Sequence, residues 1–594
     1  MGVSKSASGR SQIESRTSTT LVVVAYLTVS VLLLMYGWVA MHALWSFHDD
    51  EGAMLASLAE WQRGGEPYRD YYLQYGPIWA AFWNLAASVF ELELVHSTAR
   101  IFTLGSWVLS AGLIGVATYR LTRAHSATLA SLVLAFLGLD ALTREPLHPI
   151  GLLSALTAGL ILASTFSRSD RVRPAFLGLI VSLMALSKIN IGALAVLALL
   201  FFWSLRIPDS YAKLRWIAGL LSMLPALWLI RSHLMLALVF ASAAIALLMQ
   251  SGKVFDQPVP RREVAWTGLG VATPLAVMGL YWWMNQWSIY GLLDGVLLRP
   301  LEHPDVNPLP LPVSGLVVTL SAIVLITSLS KYRATPSMTA LVGLVGLAGG
   351  QAASGVLPST GPGSVAVAAR NERSDALTIG IFAVFLFLGL FPVAGSQVAQ
   401  SSLPFVPLIS LALFRATSQF SQRISVTDRA ASYFMSRLTA LAPVTLALVA
   451  MWPNVDVVKS FAYSPATSLP GLTSARLPSS QAEELGKVAA WITSNCDVAV
   501  SDPGIRTLNI IAGVPYPGRV PVGPWYRILR PAEEEEIIAS LASSERPCLI
   551  TDRATRDFWL RGQPSRAELL DKYLAENFAV TETIGRYEVS LPKR

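Results

Sequence analysis

Residues 21–52 read LVVVAYLTVSVLLLMYGWVAMHALWSFHDDEG. An uncharged apolar run passes directly into His48-Asp49-Asp50-Glu51-Gly52. The run, Leu21 to about Trp45, is longer than the apolar core of a signal peptide, and acids follow it where a cleavage site would need small residues. It reads as a retained first membrane helix. The polar tail before it carries Lys5, Arg10 and Arg16, which places the N-terminus in the cytoplasm.

Composition extends that reading to the whole chain. Of the 594 residues 53% are hydrophobic and only 14% charged, against about a quarter charged in soluble domains. Disorder, a coiled coil and a small disulfide scaffold are excluded by the same figures. The net charge of +7 lies in short Lys/Arg clusters between apolar runs, which is the pattern of cytoplasmic loops and not of a nucleic-acid surface.

Further apolar runs fall near 100–119, 126–142, 149–166, 174–187, 190–205, 216–230, 234–249, 264–284, 313–329, 376–392, 403–414 and 438–453. The expected fold class is a polytopic α-helical membrane protein of about 13 transmembrane helices. The stretches 174–205 and 216–249 are too long for single helices. Each is split into two short ones, with Lys188 and Arg231-Ser-His233 on the outer side. The Gly-rich stretch 339–357 is expected to be re-entrant or packed at the cytoplasmic edge.

The domain organisation is a tail (1–20), a membrane domain (21–455) with a first external loop at 46–98, and a C-terminal domain (456–594). In the last, helical patterns at Ser480–Asn495, Pro531–Glu545 and Arg566–Asn577 alternate with strand patterns at Cys496–Ser501 and Cys548–Asp552. Two final strands complete an α/β unit. Cys496 and Cys548, the only cysteines, each open a predicted strand. A disulfide between parallel neighbours and two buried free thiols are both open.

The chemistry concentrates in the first loop. Three consecutive acids, Asp49, Asp50 and Glu51, stand at the outer end of the first helix, and Met54, Leu55, Leu58 and Trp61 follow at helical spacing. A second aromatic-rich helix covers 78–92, and both are expected to lie in the membrane interface. Between them run Gly65-Glu66-Pro67-Tyr68-Arg69-Asp70 and Tyr75-Gly76-Pro77. Read alone, the acids are either catalytic or a solvated helix cap.

The string Asp50-Glu51-Gly52 … Gly65-Glu66-Pro67-Tyr68-Arg69-Asp70 … Tyr75-Gly76-Pro77 after a first membrane helix resembles the GT-C superfamily of membrane glycosyltransferases. That superfamily includes protein O-mannosyltransferases and the aminoarabinose transferase of lipid A. The motif covers some thirty residues, and the architecture nearly the whole chain. The resemblance implies inverting transfer of a sugar from a polyprenyl-phosphate carrier to an envelope glycolipid, polysaccharide or protein. The reaction would lie at the outer face of the plasma membrane, with the C-terminal domain outside. It implies that Asp50 is the acceptor-side carboxylate, with Asp49 and Glu51 as alternates. Some members use a metal, so a divalent cation (Mg, Mn or Ca) at Asp50 and Glu51 stays open, with no other cofactor expected.

For the donor phosphate, Lys188 between two short helices is the preferred cation, and Arg299 is a second; a charge at that depth needs a partner. The alternative for Lys188 is a snorkelling side chain. Tyr68, Asp70, Tyr75, Arg144, Glu145, His148 and His303 are the expected substrate contacts. The run Phe391–Val398 departs from the family's pattern, with Gln397 where an acid or histidine is common. No Walker loop, Gly-x-Ser-x-Gly elbow, His-Glu-x-x-His or paired-cysteine zinc motif occurs. The rival functions are a transporter or flippase of lipid-linked sugars, and a non-catalytic assembly partner.

Overall fold

The computed structural model describes residues 6–167, 171–231, 234–251, 259–301, 362–390, 396–425, 455–521, 523, 527–560 and 562–593. His233, His303, the runs 313–329 and 438–453 and the stretch 339–357 lie outside them.

The chain opens with α1 (Ser6–His42), and the first loop then folds into α2 (Asp50–Gln62) and α3 (Pro77–Val89). Next come α4 (His96–Thr122), α5 (His125–Gly138), α6 (Pro149–Ser164), α7 (Val172–Ser187) and α8 (Ile189–Ser204). They continue as α9 (Ala212–Leu229), α10 (Leu234–Ser251), α11 (Arg261–Met284) and the short α12 (Ile289–Leu293). After the undescribed segment follow α13 (Pro362–Phe387), α14 (Gln397–Ser402) and α15 (Phe405–Ser425).

Among the described residues, five helical stretches are long and apolar enough to cross a bilayer: 22–42, 96–122, 125–144, 209–229 and 261–284. Shorter apolar helices, α6, α7 and α8 among them, pack with these. The protein is a multi-pass membrane protein. Leu27, Met35, Leu109, Val116, Leu221 and Val277 are exposed on it, as a lipid-facing surface requires. The stretch 172–204 is indeed two helices of 16 residues each, α7 and α8. At 1.5 Å per residue each rises about 24 Å. They meet at Lys188, whose backbone is extended (φ −155°, ψ 108°).

The tail begins with α16 (Val455–Tyr463) and α17 (Ser479–Asn495), followed by β1 (Val498–Asp502) and α18 (Arg506–Ala512). Then come α19 (Pro531–Ser543), β2 (Pro547–Thr551), α20 (Arg553–Leu560), α21 (Glu568–Asn577), β3 (Phe578–Ile584) and β4 (Tyr587–Pro592). The sheet order is β1-β2-β4-β3. β1 and β2 run parallel with Ala499 opposite Cys548, and β4 is antiparallel to both of its neighbours. Cys496 and Cys548 are joined in a disulfide, Cα atoms 5.7 Å apart. α18 and α20 escaped the sequence reading because both are under nine residues.

This α/β unit is clamped to the first loop and to the segment after α11. Tyr72 donates its N–H to the carbonyl of Arg519 at 2.6 Å. Arg530 pairs with Asp294 at 2.9 Å. Arg299, expected at the donor phosphate, is instead part of this clamp. Its guanidinium grips Glu533 through two bonds of 2.7 and 2.8 Å, donates to the carbonyl of Ile528, and lies 3.7 Å over the ring of Tyr72. A buried bidentate pair of this kind leaves little of the guanidinium for a lipid phosphate.

Candidate active site

The three acids of the first loop have three different fates. Asp49 ends the link from α1 in a left-handed conformation (φ 55°). Its buried carboxylate accepts the backbone N–H of Thr507 at 2.8 Å and also the Thr507 hydroxyl. Burial pushes its pKa up to about 6 despite those two bonds. Gly52 makes the contact possible: a Cβ there would stand 2.5 Å from the Thr507 nitrogen and 2.6 Å from the Asp49 carboxylate. Asp49 therefore anchors α18.

Glu51 turns inward. Arg100 of α4 donates to its two oxygens at 3.1 and 3.0 Å, and His96 lies 3.3 Å away. Burial opposes its ionisation, but Arg100 and His96 more than offset that and hold the pKa down to about 2. Both alternates to Asp50 are thus committed to the protein. Of the two carboxylates named for a divalent cation, Asp50 and Glu51, the second has both oxygens bonded to Arg100. Among the described residues no three His, Cys, Asp or Glu side chains are grouped to hold a metal ion.

Asp50 remains. It occupies the first position of α2, where an acid favours the helix dipole. It is half-buried, and no hydrogen bond or ion pair engages it among the described residues. Its electrostatic neighbours are Glu145, Asp49 and Lys188. Burial first, then the charges of Glu145 and Asp49, raise its pKa well above the ordinary carboxylate range, with Lys188 acting against them.

Glu145 and His148 come from the turn between α5 and α6, which is braced on two sides. Trp79 of α3 donates to the carbonyl of Leu147 at 2.7 Å, and the N–H of Leu147 bonds Thr103 of α4 at 2.7 Å. His148 caps α6, with Pro149 at the first helical position. Glu145 accepts the hydroxyl of Ser396, and burial raises its pKa while Ser396 and Lys188 lower it. Arg144 is exposed beside it.

Tyr75 completes the group. Its hydroxyl lies 2.6 Å from Nε2 of His148, and its ring 5.4 Å from the ammonium of Lys188. The next residue seats it there. Gly76 donates its N–H to the carbonyl of Ser187 at 2.9 Å, and a Cβ on it would stand 2.0 Å from the carbonyl oxygen of Leu186. Only glycine lets this loop touch the end of α7. Tyr68, with a positive φ of 68°, donates its hydroxyl to the carbonyl of Tyr75 at 2.8 Å. Asp70 accepts the N–H of Glu66 at 2.8 Å and braces the turn. Tyr68 and Asp70 thus support the loop in this structure, where substrate contact was expected of them.

Residues from the first loop, the α5–α6 turn, the α7–α8 junction and the segment before α14 converge: Asp50, Tyr75, Glu145, His148, Lys188 and Ser396. Ser396, one residue before Gln397, carries no signal in the sequence, because a lone serine in a loop is common until its partner, Glu145, is placed beside it. Arg100 and His96 were missed as well. Yet an arginine at the start of an apolar run was a signal, since such a charge demands a partner.

Solved structures similar to this chain include ArnT from Cupriavidus metallidurans bound to undecaprenyl phosphate. It is 12% identical, the match covers 96% of this chain and 98% of that one, and the TM-score is 0.47. Another is the archaeal oligosaccharyltransferase AglB from Archaeoglobus fulgidus, in complex with an inhibitory peptide and a dolichol-phosphate. There the identity is 11%, the coverage 95% and 74%, and the TM-score 0.45. No protein-family model and no curated protein matches the chain. Likeness at this level carries no chemistry across, which must be read from the side chains.

Proposed function

We propose that this protein transfers a sugar from a polyprenyl-phosphate carrier to a hydroxyl-bearing envelope acceptor at the outer face of the plasma membrane. The observation that carries the reading is the sorting of the three acids. Asp49 and Glu51 are spent on Thr507 and Arg100, while Asp50 is free of protein partners among the described residues and faces Lys188, Glu145 and Tyr75.

In this reading Asp50 takes the proton of the acceptor hydroxyl as the acceptor oxygen bonds the anomeric carbon. The bond from that carbon to the phosphate oxygen breaks, and the phosphate leaves with the electron pair on its lipid. Attack from the face opposite the phosphate inverts the anomeric centre. A carboxylate made more basic by burial and by Glu145 suits proton removal, a contribution of about 10²–10⁴ in rate. Lys188, with no ion pair among the described residues, holds the departing phosphate at the α7–α8 junction. The disulfide supports an oxidising compartment for the C-terminal domain. That domain, clamped over the first loop, roofs the site and meets the acceptor.

The test is direct: purified protein is incubated with a panel of polyprenyl-phosphate sugars and envelope acceptors, and glycosylated product is sought by mass spectrometry. A new glycosidic product of inverted configuration supports the reading. Absence of any product across the panel, with donor-lipid binding also absent, counts against it.

A further inference from the structure

The hydrogen bonds around His148 fix its tautomer as well as its place. Nδ1 accepts the backbone N–H of Ile150, 3.3 Å away in the first turn of α6. A ring nitrogen that accepts carries no proton, so the neutral ring bears its proton on Nε2. That nitrogen lies 2.6 Å from the Tyr75 hydroxyl and donates to it. Tyr75 accepts there and keeps its own single proton for another partner. Among the described residues its hydroxyl has no second partner, while the charges of Asp50 and Glu145 act on it and Lys188 stands against its ring.

The neighbours of the ring support this arrangement. His148 is 4% exposed. An oxygen of Glu145 lies 3.7 Å from Nδ1, beyond hydrogen-bond distance, and takes the Ser396 hydroxyl instead. Burial, and after it the charge of Lys188, holds the imidazole neutral.

We infer that His148 is a positioning residue: by donating to the Tyr75 oxygen it makes Tyr75 a pure hydrogen-bond donor, aimed beside Lys188 at an anionic substrate oxygen. The inference rests on the proposed transfer reaction for its role, but not for its geometry. An O–H whose ring lies under an ammonium, 5.4 Å from the ring centre, suits an oxygen that gains charge as a bond breaks.

Two measurements test it. The first is the ¹⁵N spectrum of histidine-labelled protein, with the His148 resonance identified by its loss in His148→Gln among the seven histidines. A neutral ring protonated on Nε2 is expected near neutral pH; an imidazolium, or a proton on Nδ1, overturns the inference. This readout holds even if no sugar is transferred, in which case only the functional reading fails. The second is a kinetic cycle with a polyprenyl-phosphate sugar that the wild type turns over. His148→Gln, whose amide still donates, keeps kcat within about threefold, while His148→Met loses about tenfold or more at little change in KM. Tyr75→Phe loses as much, and adding His148→Met to it costs nothing further. Equal losses in the Gln and Met variants at unchanged Tm, or additive losses in the double variant, overturn the positioning role.

Discussion

Thr507 donates both its backbone N–H and its hydroxyl to the carboxylate of Asp49, binding the entry of α2 to a helix 458 residues downstream. The residue beside the candidate base is thereby a pin between the membrane bundle and the α/β unit. Asp49→Ala removes two hydrogen bonds to a buried carboxylate, each worth about 1.5–3 kcal/mol. The expected outcome is a lower Tm in detergent and faster proteolysis between residues 455 and 531. Thr507→Val, which keeps the backbone donor, falls between the variant and the wild type.

Glu51 and Arg100 form the second internal lock. Breaking a buried pair from one side costs about 3–5 kcal/mol, so Glu51→Ala is expected to lose activity through loss of folded protein. The sign of the pH effect follows from the depressed carboxyl. Folding takes Glu51 from 4.5 to about 2, so its stabilisation is complete above the unfolded value. It fades as pH falls from 4.5 toward 2. Glu51→Gln flattens that part of the stability profile, as unfolding monitored by tryptophan fluorescence would record.

Gly76 tests the seating of Tyr75. An added methyl would meet the Leu186 carbonyl at 2.0 Å, and the backbone there cannot retreat without moving the α7–α8 junction. Gly76→Ala costs about 1–3 kcal/mol by overpacking. In steady-state kinetics kcat is expected to fall at least tenfold in the fraction that folds, because Tyr75 and Lys188 separate.

The pH–rate profile of transfer should rise through the ionisation of Asp50, above the ordinary carboxylate range, since burial and the charge of Glu145 both raise it. Glu145→Gln removes one of those causes. Its acid limb should move to lower pH, and an unmoved or alkaline-shifted limb would count against the pairing of the two carboxylates.

Much of this arrangement was legible in the chain. Lys188 interrupts a continuous apolar stretch, and two helices do meet there. The paired strand patterns opening at Cys496 and Cys548 do lie side by side. What pattern alone could not supply was the distant partner. The residues Met54, Leu55, Leu58 and Trp61 predict an interfacial helix with one wet face, but α2 is buried nearly all round because α18 covers the other side. Likewise nothing in Asp49-Asp50-Glu51 separates three acids that differ only in what lies across from them, and Arg299 reads as a free cation until Glu533 is placed beside it.

The most direct test of the central claim is single-turnover transfer from a polyprenyl-phosphate sugar by wild type and Asp50→Asn, each confirmed folded by Tm and monodispersity. If Asp50 is the base, the variant binds the carrier lipid normally and transfers at least about 10²-fold more slowly. A variant that transfers at the wild-type rate would contradict the assignment.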